Sequence, residues 1–223
     1  MSILRRLPGE RFSEILRGWP DATAVLIGGG PSLTLEQVEL VRRARENGAV
    51  RVIAINDAYL LALWAEVQYA ADSEWHGWHK VRPEFVAFAG QKCTIQNSGA
   101  NVQDDAVHML RDGGRDGLSA DPRALRTGRH SGFQALNLAI LAGATTVILL
   151  GFDGKPNAEG RTHFFGDHPR PEPFAVYEEM RKAFSAAETA IEAAGVTVVN
   201  CSPGSAIDSF PKMTLEVALA AHT

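Results

Sequence analysis

The chain is predicted to be an α/β protein with a doubly wound, mostly parallel sheet carrying helices on both faces. Two observations predict this. Short, uniformly apolar runs alternate with longer segments whose apolar residues recur at helical spacing, the pattern of strands buried on both faces and joined by crossover helices. Most of these runs then end in Gly, Asn, Asp or Ser, and open sheets of this class place ligands outside the carboxyl ends of their strands.

The most informative run is 24–27 (AVLI), followed by Gly28, Gly29, Gly30, Pro31 and Ser32. Four apolar residues predict a buried strand, and glycines without a Cβ let the backbone turn and approach a ligand. Thr34 with Gln37 three residues later predicts a capping box for the next helix. Strand, turn and helix start would together direct N–H groups and a positive dipole end at one spot, where phosphate binds well. GGGPSL matches neither the spaced dinucleotide pattern nor the phosphate-loop pattern, so a tight turn built only for packing stays open.

Bulk properties set the frame. A length of 223 residues suits one domain, with 1–20 read as an N-terminal extension holding a short helix. A formal net charge of −4 without a basic block argues against nucleic acid as the main partner. Cys93 and Cys201 show no ligand spacing and fit a reducing compartment. No apolar run has membrane-spanning length and no signal-peptide core opens the chain, so a cytoplasmic protein without a membrane partner is expected.

In order after the glycine turn, Leu35, Val38, Val41 and Ala44 mark a helix stopped at Asn47-Gly48. Residues 50–56 (VRVIAIN) predict the second strand, 60–64 a helical turn, and 67–72 (VQYAAD) the third strand. The 85–90 run (FVAFAG) predicts a fourth strand, and CTIQN and VHML two more within 92–110. Rich in Gly, Asp and Arg, 111–128 reads as a mobile loop that could act as a lid. Residues 133–141 predict a helix opened by Ser131-Gly132, and 145–153 (TTVILLGFD) the most apolar strand. A polar loop over 154–173 precedes a long helix at 174–194, a last strand at 196–200 and a final helix near 215–221.

Candidate site residues fall at these strand ends: the 28–32 turn, Asn56-Asp57, Asp72, Ser131-Gly132 and Asp153. Each alone is an ordinary turn or cap residue; their placement at successive strand ends is what points to a nucleotide site. In the polar loop, His163 or His168 could take a proton from a hydroxyl near neutral pH, and Arg161 and Arg170 could neutralise phosphate. Arg129 could orient a substrate or leaving group. Asp72, His76 and His79 would share a helix face, but an aromatic segment covering the sheet is favoured there over a metal, and no metal ligand set is assigned. Trp75 and Trp78 read as core or pocket wall.

The ordered set GGGPSL, VIAIND, SGFQALNLAILAGATTVILLGFD, HFFGDH and NCSPGSAI resembles a superfamily joining bacterial metal-independent sialyltransferases with archaeal 6-hydroxymethylpterin diphosphokinase-like proteins. The match spans about 23–217 at its motifs and suggests a phage- or prophage-type member. The resemblance implies a Rossmann-like fold binding a CMP-sugar, with Gly28, Gly30, Ser32 and Asn56 on the nucleotide and Arg129 before the Ser-Gly helix start. It implies His168 as the base on an acceptor hydroxyl, with His163 second, and requires no cofactor. The family's GNGPSL stands here as GGGPSL, and none of Tyr59, Tyr69 and Tyr177 lies in the loop where the family carries phosphate-binding tyrosines. The diphosphokinase branch implies ATP with Mg2+ on acidic residues, for which Asp57, Asp72 and Asp153 are candidates. A nucleotide-binding protein without catalysis is the third expectation; the acceptor and self-association are left open.

Overall fold

A computed structural model describes residues 2–96, 102, 104, 106–166 and 175–221. An antiparallel pair, β1 (Leu4–Arg5) with β2 (Glu14–Ile15), precedes the main sheet. The main sheet comprises β3 (Thr23–Ile27), β4 (Val50–Ile55), β5 (Val67–Tyr69), β6 (Gln91–Ile95), β7 (Val107–Asp112), β8 (Ala124–Leu125), β9 (Thr146–Leu150) and β10 (Thr197–Asn200). Helices α1 (Leu35–Glu46), α2 (Ser73–His79), α3 (Pro83–Val86), α4 (Ser131–Leu141), α5 (Ala175–Ala193) and α6 (Leu215–Ala220) complete the described elements.

Among the described residues the strand order is β10-β9-β3-β4-β5-β6-β7-β8, every neighbouring pair parallel. Alternate residues feed two cores, as the two-residue period of a strand dictates. Ala24, Leu26, Ile53, Ile55, Val147 and Leu149 pack with α4 and α5, whereas Val25, Ile27, Val52, Ala54, Ile148 and Leu150 pack with α1 and α6. The fold is therefore a Rossmann-like, doubly wound α/β sheet. The chain starts inside the sheet at β3, runs outward to β8, then crosses back to β9, so the order reverses between β3 and β9. Ligands of this fold class bind at such a reversal.

Four expectations change. Residues 1–20 carry β1 and β2 rather than a helix, because side-chain and backbone bonds tie them along the sheet. Ile3 and Leu4 N–H donate to Gln91 Oε1 at 2.7 and 3.0 Å, and Ile15 N–H donates to Pro122 O at 2.7 Å. The 85–90 run is not a strand: Pro83 opens α3, and Gly90 passes so near the 65–66 backbone that a Cβ there would lie 2.6 Å from Glu66 O. The helical turn expected at 60–64 comes earlier, as a 3-10 turn over Asn56–Leu60.

The fourth correction is that 111–128 is not a free loop. It holds the end of β7 and all of β8, with Arg111 N–H on Arg123 O and Gly113 N–H on Leu125 O, each at 2.8 Å. Asn137 Oδ1 on α4 accepts from Ser119 and Arg126 N–H, each at 3.0 Å.

Candidate functional site

The ends of β3, β4, β5, β6, β7 and β9 and the start of α4 surround one cavity of about 610 Å3. Gly28, Gly29, Gly30, Pro31, Asn56, Asp57, Asp72, Arg129, Ser131, Gly132, Asp153 and His163 all line it, although they come from segments far apart in the chain. Ser32 stands behind the lining, bonded to Asp153. Arg161 is not among the lining residues; its exposed side chain pairs with Glu159 at 3.7 Å. His168 and Arg170 lie outside the described residues.

The glycine turn has a different basis from the one its sequence suggests. Gly28 N–H donates to Leu150 O at 2.7 Å and Gly30 N–H to Gly151 O at 2.9 Å, so the turn is sewn to β9. A Cβ at Gly28 would lie 2.7 Å from Gly151 O; one at Gly30 would lie 2.6 Å from the same oxygen and inside the Asp153 carboxylate. These two glycines are required by backbone packing against β9. At Gly29 a Cβ would stand 3.4 Å from His163 Cδ2, ordinary contact.

Asp153 takes the position expected for an anion. Its Oδ2 accepts from Ser32 Oγ at 3.0 Å and more weakly from Ser32 N–H at 3.5 Å. Thr34 and Gln37 close the predicted capping box, with Thr34 N–H on Gln37 Oε1 at 3.0 Å and Gln37 N–H on Thr34 Oγ1 at 3.3 Å. The capping box thus satisfies the Thr34 and Gln37 amides, while Asp153 holds the Ser32 side chain and amide ahead of the helix. Burial raises the Asp153 carboxyl above its ordinary value, the Ser32 hydroxyl pulling the other way.

Strain marks two lining residues. Asn56 has φ 48° and Arg129 φ 61°, the left-handed region that disfavours a side chain. Asn56 Oδ1 is buried without a hydrogen-bond partner, in a residue that lines the cavity. Arg129, largely exposed, lies 4.0 Å from Glu179.

The remaining expected residues are held by specific bonds. Asp57 Oδ2 accepts from Trp75 Nε1 at 3.1 Å, and its Oδ1 is 3.2 Å from His79 Nε2. Asp72 caps α2, accepting from Glu74 N–H at 2.7 Å. Ser131 Oγ accepts from Ala71 N–H at 3.3 Å, joining the ends of β5 and the start of α4. His76 Nε2 bonds Ala70 O at 3.0 Å, so Asp72, His76 and His79 each turn to a different partner. Among the described residues no group of three or more His, Cys, Asp or Glu side chains could hold a metal ion.

Over the turn sits the 154–166 segment. Phe164 N–H donates to Gly29 O at 3.1 Å, and His163 stacks on Phe165 with ring centres 4.8 Å apart. His163 Nδ1 is 2.9 Å from Thr162 Oγ1. With Nδ1 protonated and donating there, Nε2 is the basic nitrogen.

Several lining residues were given no site role from sequence: Asp112, Thr127, His130 and Gln134, and Lys155 and Tyr177 besides. Gln134 is a structural wall, its Oε1 accepting from Tyr69 Oη at 2.7 Å and its Nε2 donating to Thr127 O at 2.8 Å. His130 caps α4, its Nδ1 accepting from Phe133 N–H at 3.1 Å. A signal for it existed in sequence: it is the residue directly before the Ser-Gly helix start. Tyr177 reaches the cavity from the first turn of α5, beyond the loop where tyrosines were sought.

Burial holds two of these histidines neutral, and that fixes a pH dependence. His130 is pushed down to about 3, and His76 is lowered as well. Unfolded, each binds a proton near pH 6.5. Below that pH the unfolded chain holds more protons than the native one, so stability rises with pH across this window and is lost on acidification. The free energy of urea unfolding is expected to fall as pH drops from 6.5 to 5, by up to about 1.4 kcal/mol per pH unit from His130, with His76 acting in the same direction. His130→Asn, which keeps a cap acceptor, should flatten that slope by about one proton.

No protein-family model, curated protein or solved structure matches the chain.

Proposed function

We propose that the cavity binds a nucleotide or nucleotide-sugar and that the chain is a transferase, with glycosyl transfer to a hydroxyl the reaction its residues suit best. The observation that carries this is the gathering of Gly28–Pro31, Asn56, Arg129, Ser131, Asp153 and His163 around one cavity at the sheet's reversal point. The glycine turn forms the floor, with Ser32 at its end bonded to Asp153. The donor's phosphate then lies toward the lining cations Arg129 and Lys155. Asn56 Oδ1, lacking a partner, accepts from the nucleoside. His163 accepts the acceptor's proton as that oxygen bonds to the sugar's anomeric carbon. The bond from that carbon to the donor phosphate breaks, and the phosphate leaves with its electron pair. No cofactor enters this sequence.

Asp57, Asp72, Asp112 and Asp153, each lining the cavity, are the acids a second reading would use, a Mg2+-ATP pyrophosphokinase acting on a pterin. Magnesium is commonly held by one or two carboxylates together with substrate phosphates. A nucleotide-binding protein without turnover is the third.

Thermal unfolding of the full chain against CMP, a CMP-sugar, ATP and 6-hydroxymethylpterin, with and without Mg2+, separates them. The glycosyl-transfer reading expects CMP or its sugar to raise the midpoint without metal. At a hundredfold excess over Kd the gain is about 2.7 kcal/mol, or roughly 5–10 °C for a chain this size. A shift confined to ATP with Mg2+ transfers the assignment to the pyrophosphokinase. Binding without turnover of any donor leaves a binding protein, and no shift with any of these ligands overturns the proposal.

A further inference from the structure

We propose that a second pocket beside the cavity holds an anionic group, a phosphate or a carboxylate, carried by a reactant other than the nucleotide; this rests on the transferase reading above. The pocket has a volume of about 380 Å3 and is lined by Lys155, Pro156, Ala175, Tyr177, Glu178 and Arg181. Lys155 and Tyr177 line the main cavity as well, so the two spaces share a wall. Neither the glycine turn nor Asn56 nor Arg129 lines the second one.

The charges around this pocket are unbalanced. Arg181, partly buried on α5, donates from Nη1 to Gly154 O at 2.8 Å. That bond holds the guanidinium in place and leaves most of its N–H groups for a ligand. Among the described residues neither Arg181 nor Lys155 forms an ion pair. The neighbouring acids are already matched, Glu178 with Lys182 at 2.6 Å and Asp208 with Lys212 at 2.5 Å. Asp208 is held below its ordinary value chiefly by Lys212, with Arg181 and Lys155 adding to it, so both cations act on one region. Unmatched positive charge in a concave site attracts an anion, and a planar guanidinium takes a phosphate or carboxylate through paired bonds. In the transferase reading the donor's phosphate lies toward Arg129 and Lys155. Arg181 lines only the second pocket, so a charge bound there lies outside the space that the nucleotide fills.

Calorimetric titration of the full chain, with and without saturating CMP, against glycerol 3-phosphate, glycerate and glycerol tests this. These three share hydroxyl groups and differ in the anion. At least one of the two anions is expected to bind about tenfold or more tightly than glycerol with CMP present, and the tighter one names the phosphate or the carboxylate as the group recognised. Arg181→Gln keeps a donor for Gly154 O and should bring that ratio near one, with the affinity for CMP changed less than about twofold. Arg181→Lys keeps the charge and loses the fork; a several-fold loss of anion affinity is expected, and it decides the matter if Arg181→Gln fails to fold. Equal binding of anions and glycerol overturns the proposal and leaves the nucleotide reading intact. So does an anion that displaces CMP, or an anion affinity that neither variant changes. Anion binding through Arg181 in a chain that binds no nucleotide removes the transferase reading and keeps the pocket.

Discussion

Gly30→Ala is expected to destabilise the protein by about 3 kcal/mol or more, whereas Gly29→Ala costs less than about 1 kcal/mol. The new methyl at position 30 would enter the Asp153 carboxylate and lie 2.6 Å from Gly151 O. Relief requires either moving a buried acid off Ser32 or breaking the Gly30–Gly151 hydrogen bond between the two turns. At position 29 the nearest atom is 3.4 Å away, at the edge of the His163 ring. Urea denaturation of the two variants measures the contrast. The double variant Gly30→Ala/Asp153→Ala should recover part of the loss, because the carboxylate clash disappears while the carbonyl contact stays. Equal stability of the two single variants would mean that Gly29 and Gly30 are interchangeable, and that the close β3–β9 approach is not what selects Gly30.

His163→Ala is expected to lower turnover of the preferred donor by about 10² to 10⁴-fold, with much less change in its binding. The imidazole stands over the turn with Nδ1 beside Thr162, and losing it removes the proton acceptor while leaving Arg129, Lys155 and Asn56 in the cavity wall. Steady-state kinetics of His163→Ala and His168→Ala side by side assign the base. A loss in kcat together with the acidic limb of the pH profile for His163→Ala supports the proposal. The same signature in His168→Ala alone transfers the role to His168, and its absence from both removes the histidine-base mechanism.

The sheet was legible because parallel strands buried on two faces must be apolar throughout, as TAVLI, VRVIAI and TVILL nearly are. The rim was legible for the same reason, since a strand interior tolerates no Asn or Asp and their appearance marks its end. Local pattern misled where tertiary bonds decide. The 1–20 segment is held by the Gln91 side chain and by Pro122, partners about a hundred residues away. FVAFAG has a strand's composition, but Pro83 just before it sets a helical turn and the close approach of Gly90 stops pairing. At the glycine turn the packing role, one of the two alternatives the sequence left open, depends on β9 and Asp153, which sequence alone does not place beside β3. Asp112, Thr127 and Gln134 were invisible for a related reason: nothing local distinguishes them from solvated residues until the sheet order brings them together.

The pairing of Thr23 with Thr146 and of Ile27 with Leu150 joins segments separated by more than half the chain. During synthesis the first of these partners waits for the second to emerge, while β4 to β7 already have neighbours to assemble with. Contacts of such long sequence separation form late and slowly. The floor of the cavity is therefore among the last parts of the molecule to close, and until it does there is no pocket. Any small molecule spanning the two turns would act on this seam as a clasp, retarding its reopening more than hastening its closure.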